Sequence, residues 1–197
     1  MRTLKLTVAY DGTRYAGWQS QVRRNQKPVT GNQRKPTIQS TLEQVLRKIL
    51  QEPVAVIGSG RTDAGVHALA QVAHVKTRSA MPCARLQRSL NELLPPDIAV
   101  TRLEDAAPAF HARFDARRKR YRYRLFTGTV VPPFIRPYVH HVRAPLRVSA
   151  MRRELAALRG RRDFRAFARL PRQGAGRTTI RAVTDARLSR RGEELHL

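Results

Sequence analysis

Cys83 is the only cysteine in 197 residues, so no disulfide can close within the chain and a reducing, cytoplasmic setting is expected. Six histidines, at 67, 74, 111, 140, 141 and 196, together with that cysteine match no zinc-ligand spacing, and no metal is expected. No apolar run reaches the ~18 residues that a membrane-spanning helix needs. The N-terminus MRTLKLTVAYDG alternates apolar and polar residues and holds no unbroken apolar stretch, so no secretory signal is expected there. Acids are scarce as well: 14 Asp and Glu stand against 39 Lys and Arg, for a formal net charge of +25.

That charge is unevenly spread. Residues 1–107 hold 16 cations and 8 acids, while residues 108–197 hold 23 and 6. Arginine supplies 33 of the cations. A field of this sign attracts polyanions, and a phosphate-backbone partner accounts for it better than solubility or genome composition does. No basic stretch carries a clean apolar helical face, which argues against a membrane surface. With 41% apolar residues the chain can still bury a core.

Leu4, Leu6, Val8 and Tyr10 alternate with Lys5, Thr7 and Ala9, a strand pattern with one core face. DGTRYAGWQ then turns through two glycines, and residues 20–36 read as an exposed basic loop. From Thr37, a candidate N-cap, apolar positions 38, 42, 45, 46, 49 and 50 mark an amphipathic helix. VAVIGS reads as a buried strand, AQVAHVKT as another, residues 82–94 as a helix stopped by Pro95 and Pro96, and IAVTRL as a third strand after the first. RRKRYRYRLF predicts a strand over 117–126. VSAMRRELAALRG predicts a short helix with Ser149 as cap and Gly160 as terminator, and the last twenty residues predict a hairpin around Arg190–Gly192. The expected fold class is α+β. Residues 1–107 form an antiparallel sheet with two helices on one face, and residues 108–197 form a second α+β half.

Two stretches could carry chemistry. In GSGRTDAGVHALAQVAHV, glycines at 58, 60 and 65 let another backbone approach a loop that carries Asp63, and Arg61 would hold its carboxylate ionised. Asp63 is then either a nucleophile or base, or simply a turn cap, and the residues leave both open. The stretch lacks the lysine and hydroxyl of a P-loop. In RRKRYRYRLF, strand period puts Arg118, Arg120, Arg122 and Arg124 on one face for phosphates, with Tyr121 and Tyr123 opposite. Those rings either pack in a core or stack on a base, and an enzyme acting on a base must first extrude it against such a wall.

GRTDAGVHALAQVAHV closely resembles the catalytic signature of the TruA-type tRNA pseudouridine synthases. YDGTRYAGWQ, TIQSTLEQVL, LNELLPPDIAV, FHARFDARRKRYRY and LRGRRDFRAFA follow the family pattern in order, from about residue 4 to the chain's end. The resemblance implies isomerisation of uridine to pseudouridine at positions 38–40 of the tRNA anticodon stem-loop, without metal or cofactor. It implies Asp63 as the attacking carboxylate, Arg61 as the residue that helps bring the nucleotide in, and Tyr121 as the ring against the target base. It also implies two similar α+β halves around a basic central cleft, and a homodimer.

The chain departs from the family where members continue with a segment of the type NGFLxxMVR, whose arginine pairs with the catalytic aspartate. Arg177 belongs to a different loop and is not promoted to that part, and Arg162 replaces the histidine of a G-x-H-D-F pattern. The expectation is therefore a C-terminally truncated member with an incomplete second half and poor activity alone. The alternative is a non-catalytic RNA-binding relative.

Overall fold

The computed structural model describes residues 1–19, 35–168 and 178–197. Most of the basic loop at 20–36, and Arg177, thus lie outside the described residues. The described chain packs as two units, Met1–Lys119 and Arg120–Leu197.

In chain order the first unit runs β1 (Arg2–Tyr10), α1 (Ile38–Leu50), β2 (Ile57–Gly58), β3 (Ala68–Thr77), α2 (Cys83–Leu93) and β4 (Ile98–Ala106). Leu4, Leu6, Val8 and Tyr10 are all buried while Lys5, Thr7 and Ala9 are half-exposed, as a period-two strand with one core face requires. β1 lies centrally, antiparallel to β3 and β4, in the sheet order β2-β3-β1-β4. Register sets Leu6 between Ala73 and Leu103, so cross-strand neighbours on this face are apolar.

α1 starts where expected. Thr37 Oγ1 accepts from the Ser40 N–H while the Ser40 hydroxyl receives the Thr37 N–H, a reciprocal cap. Ile38, Leu42 and Leu46 of α1 and Leu86 and Leu90 of α2 are buried in one cluster with Leu4, Leu6 and Val8. Both helices therefore cover the same sheet face, and each buried leucine contributes about 1.5–3 kcal/mol against exposure. VAVIGS is less of a strand than its apolar run predicts. Val54 and Val56 are buried, but only Ile57 and Gly58 pair, because β2 is an edge with a single neighbour.

Residues 108–119 pack with the first unit, twelve residues past the boundary expected at 107/108. Thr3 Oγ1 donates to the Pro108 carbonyl, and the Ala112 N–H donates to His74 Nδ1 at 3.1 Å. These contacts span more than thirty residues of sequence, which a local pattern cannot register.

The second unit holds β5 (Arg124–Phe126), β6 (His140–His141), α3 (Val148–Ala157), β7 (Gly160–Asp163), β8 (Ile180–Val183), β9 (Ser189–Arg191) and β10 (Glu194–His196). One sheet has the order β6-β5-β10-β9, with β5 and β6 parallel over two residues and the other pairs antiparallel; β7 and β8 form a separate antiparallel pair. The β9–β10 hairpin turns on Gly192 and Glu193, close to its expected place. Two expectations need correction. The strand over 117–126 is ladder-paired only at Arg124–Phe126, extended by mutual backbone bonds between Tyr123 and Leu197; residues 117–122 have no neighbouring strand among the described residues. Ser149 does not cap α3: the helix begins at Val148, after Arg147, and no side chain bonds its first turn.

Candidate active site

Asp63 sits on an exposed turn. The Val66 N–H donates to the Asp63 carbonyl at 3.2 Å, and Gly65, third of the four residues, has φ +79°, the geometry of a type II turn. The carboxylate is exposed and unpartnered among the described residues. A side chain serving only as a turn cap would be bonded to a nearby backbone N–H, so this carboxylate is open to a substrate.

What holds the turn is the preceding YDGTRYAGWQ segment. The Trp18 N–H donates to the Thr62 carbonyl at 3.1 Å, and Tyr10 Oη shares a hydrogen bond of 2.9 Å with Thr62 Oγ1. Burial raises the Tyr10 pKa, only partly opposed by that bond, so the phenol keeps its proton. Gly17 has φ +89°, and a β-carbon there would lie 2.4 Å from the Thr62 carbonyl oxygen and 2.9 Å from the Asp63 carbonyl carbon. Only glycine permits this backbone to pass so close beneath the carboxylate. Gln71, reaching from β3, donates to the Gly60 carbonyl at 2.5 Å and accepts from Ser59 Oγ at 3.0 Å, fixing the other limb.

The supporting segment is itself anchored. Arg14 pairs with Asp97 at 2.6 Å, Tyr15 Oη donates to Asp97 at 2.6 Å, and the Ile38 N–H at the start of α1 donates to the Gly17 carbonyl at 3.1 Å. Burial and the Asp97 carboxylate push the Tyr15 pKa well up, so it remains a donor. His67 Nδ1 faces both the Gly12 N–H at 3.2 Å and Asp11 Oδ1 at 3.0 Å. One nitrogen cannot serve both at once: bare, it accepts from Gly12; carrying a hydrogen, it donates to Asp11. Four of the quoted stretches thus converge on one turn, from β1, α1, the β2–β3 loop and the approach to β4.

Arg61 is exposed, and its Nε donates to Gln19 Oε1 at 2.8 Å. It makes no ion pair with Asp63, so the expected charge pairing between these two side chains is not formed. In the second unit Tyr121 is 71% exposed and Tyr123 67%, so neither is a core ring. The four-arginine face is also thinner than strand period implied. Arg124 is held by Glu194 through two bonds, Nε at 2.9 Å and Nη2 at 3.0 Å, while Arg118, Arg120 and Arg122 are exposed. That pairing, with His196 adding to it, keeps the Glu194 pKa low against the upward pull of burial. Sequence reading passed over Tyr10, Thr62, Gly17 and Gln71. The glycines of DGTRYAGW were their one visible signal.

No group of three or more His, Cys, Asp or Glu among the described residues could hold a metal ion. No helix among the described residues is long and apolar enough to cross a membrane. A family profile described as tRNA pseudouridine synthase matches residues 6–115, more than half of the chain. At 39% identity over 197 residues, the sequence matches tRNA pseudouridine synthase A 2 of Clostridium perfringens (strain 13 / Type A), covering 100% of this chain and 75% of the relative. It is 43% identical over 195 residues to tRNA pseudouridine synthase A of Geobacter sulfurreducens, covering 99% and 75%. It is also 43% identical over 167 residues to tRNA pseudouridine synthase A of Moorella thermoacetica, covering 85% and 64%.

Proposed function

The chain belongs to the tRNA pseudouridine synthase family, and from that premise we propose that it isomerises uridine to pseudouridine at positions 38–40 of the tRNA anticodon stem-loop, with Asp63 as nucleophile. One observation carries the reading: an exposed carboxylate, unpartnered among the described residues, on a turn pinned from below by Tyr10, Gly17 and Trp18. An acid in so basic a chain is suited to attack a substrate that the surrounding cations have gathered.

The reaction breaks the bond between uracil N1 and ribose C1′ and makes one between C5 and C1′. C5 loses a proton and N1 gains one, so atoms and electrons balance with no redox partner. Attack at C1′ and attack on the uracil ring both start from the ionised carboxylate. The base has to leave its stack first. Tyr121 supplies the exposed ring against which it rests, and Arg61 helps draw the nucleotide in. In this reading the two units, Met1–Lys119 and Arg120–Leu197, correspond to the two α+β halves that the resemblance implies, and the working protein is a cytoplasmic homodimer.

Asp63→Asn decides the matter. Pseudouridine formation on anticodon stem-loop RNA should fall at least about a thousandfold, since the amide cannot attack, while the RNA Kd stays within about twofold because phosphate contacts remain. Undiminished product from the variant overturns the reading. If parent and variant both bind RNA and neither forms product, the chain is instead a non-catalytic RNA binder.

A further inference from the structure

We propose that His74 is a positioning residue for the Asp63 turn, a neutral imidazole that locks the strand entering the turn to the 108–119 segment. The inference rests on the reading of that turn as the active site. His74 lies on β3 and is 2% exposed, opposite Ile57 of β2 and Lys5 of β1. Its Nδ1 accepts the Ala112 N–H at 3.1 Å. An Nδ1 that accepts carries no proton, so in the neutral ring the proton sits on Nε2. One residue therefore ties two segments together, Ile57 through the β2–β3 ladder and Ala112 through its ring.

Each grip leads to the turn. Beyond Ile57 the chain passes through Gly58, Ser59 and Gly60 to Arg61 and Asp63. Ala112 lies in a tight turn, in which the His111 carbonyl accepts the Asp115 N–H at 2.9 Å and Asp115 Oδ2 accepts the His111 N–H at 2.8 Å. From there the segment runs to Lys119, whose Nζ would lie 2.7 Å from a β-carbon on Gly60. The two segments that His74 joins thus meet again at the base of the Asp63 turn.

Protonation undoes the grip. A proton on Nδ1 turns the acceptor into a donor facing the Ala112 N–H. The new charge would be buried beside the His111 ring at 4.8 Å and the Phe110 ring at 6.0 Å. The charged groups around it are Lys5 (paired with Glu104 at 2.8 Å), Lys76 on its own strand, and His111 and Asp115 on the clasped segment. Burial first, then His111 and Lys76, lower the His74 pKa below its ordinary 6.5, and Asp115 opposes them. An unfolded His74 takes up its proton as pH falls through the ordinary value while the folded one resists, so the clasp loses stability in acid and is intact above that range.

The test uses the full chain with His74→Phe, which can neither donate nor accept, and His74→Gln, which does both and does not titrate. Amide exchange is read over 57–63 and 110–115, and product formation on anticodon stem-loop RNA is followed from about pH 5 to 8. His74→Phe should expose both peptides together at least about tenfold, with unchanged circular dichroism, and lower kcat more than KM. His74→Gln should protect both peptides and remove the parent's acid-side loss of exchange protection and of activity. Exposure of 110–115 with 57–63 still protected overturns the inference, as does an acid limb that His74→Gln keeps unchanged. If His74→Phe does not fold, the His74→Gln pH profile decides alone. Product from Asp63→Asn would sink the active-site reading instead, whatever His74 does.

Discussion

The two units differ in what they bury. The first encloses a continuous core that joins one sheet face to two helices, with Trp18, Leu6 and Leu46 sealed inside. In the second, Phe126, Val131 and Leu195 are the buried apolar side chains among the described residues, α3 buries none, and Phe134 and Phe167 are more than four-fifths exposed. The Asp63 turn belongs to the unit with the core; most of the surplus charge falls in the other part of the sequence. Positioning a carboxylate to within a fraction of an ångström needs a rigid support of packed and bonded neighbours. Gathering a phosphate chain needs only exposed cations. Under the proposed function, a division of labour between the units follows from those different demands.

The sharpest way to break this comparison is to make the same cut in a helix of each unit. Leu46→Ala in α1 empties a fully buried site and should cost about 2–5 kcal/mol, whereas Leu155→Ala in α3 removes a half-exposed side chain and should cost under about 1 kcal/mol. Urea unfolding of both variants, each compared at constant m-value, measures the difference. Equal losses would mean that the second unit has a core of its own. A smaller effect is expected at Gly17→Ala. The left-handed φ and the contact with the Thr62 carbonyl together should cost about 2–3 kcal/mol, and the displaced Asp63 turn should lose product formation by more than the stability loss explains. If Gly17→Ala unfolds more readily yet turns over normally at low temperature, the turn is not set from below.

Much of the first unit was legible because its signals are local. The alternation of β1, the Thr37 cap and the apolar stripe of α1, itself 13 residues long, are each confined to one short run, and each reappears in the fold. What stayed hidden depends on partners distant in sequence. The alternation of 117–126 reads as a strand, but a strand also needs a neighbour, and the described residues pair only its last part. Arg124 looks like one cation of four until Glu194, seventy residues on, claims it. The same holds for the support of Asp63: its acid and glycines stand out in one short run, while Tyr10, Gly17 and Gln71 matter only once the sheet has brought them beneath it.

The gentlest test addresses charge. Arg120 and Arg122 are exposed and have no carboxylate partner among the described residues, unlike Arg124. Replacing both by alanine should leave urea unfolding within about 0.5 kcal/mol of the parent, since nothing packed or paired is lost. RNA affinity should weaken about tenfold at 0.15 M salt, and the slope of log K against log salt should flatten by about 1.4–1.8, two phosphate contacts' worth of released counterions. Pseudouridine formation at saturating RNA should stay within about twofold, because the loss falls on capture and not on the carboxylate. A double variant with an unchanged salt slope would mean that these arginines meet no phosphate, and that the second unit's charge serves solubility. A variant that saturates normally but turns over slowly would move part of the chemistry out of the first unit, because cations that only gather the substrate cannot alter the rate once it is bound.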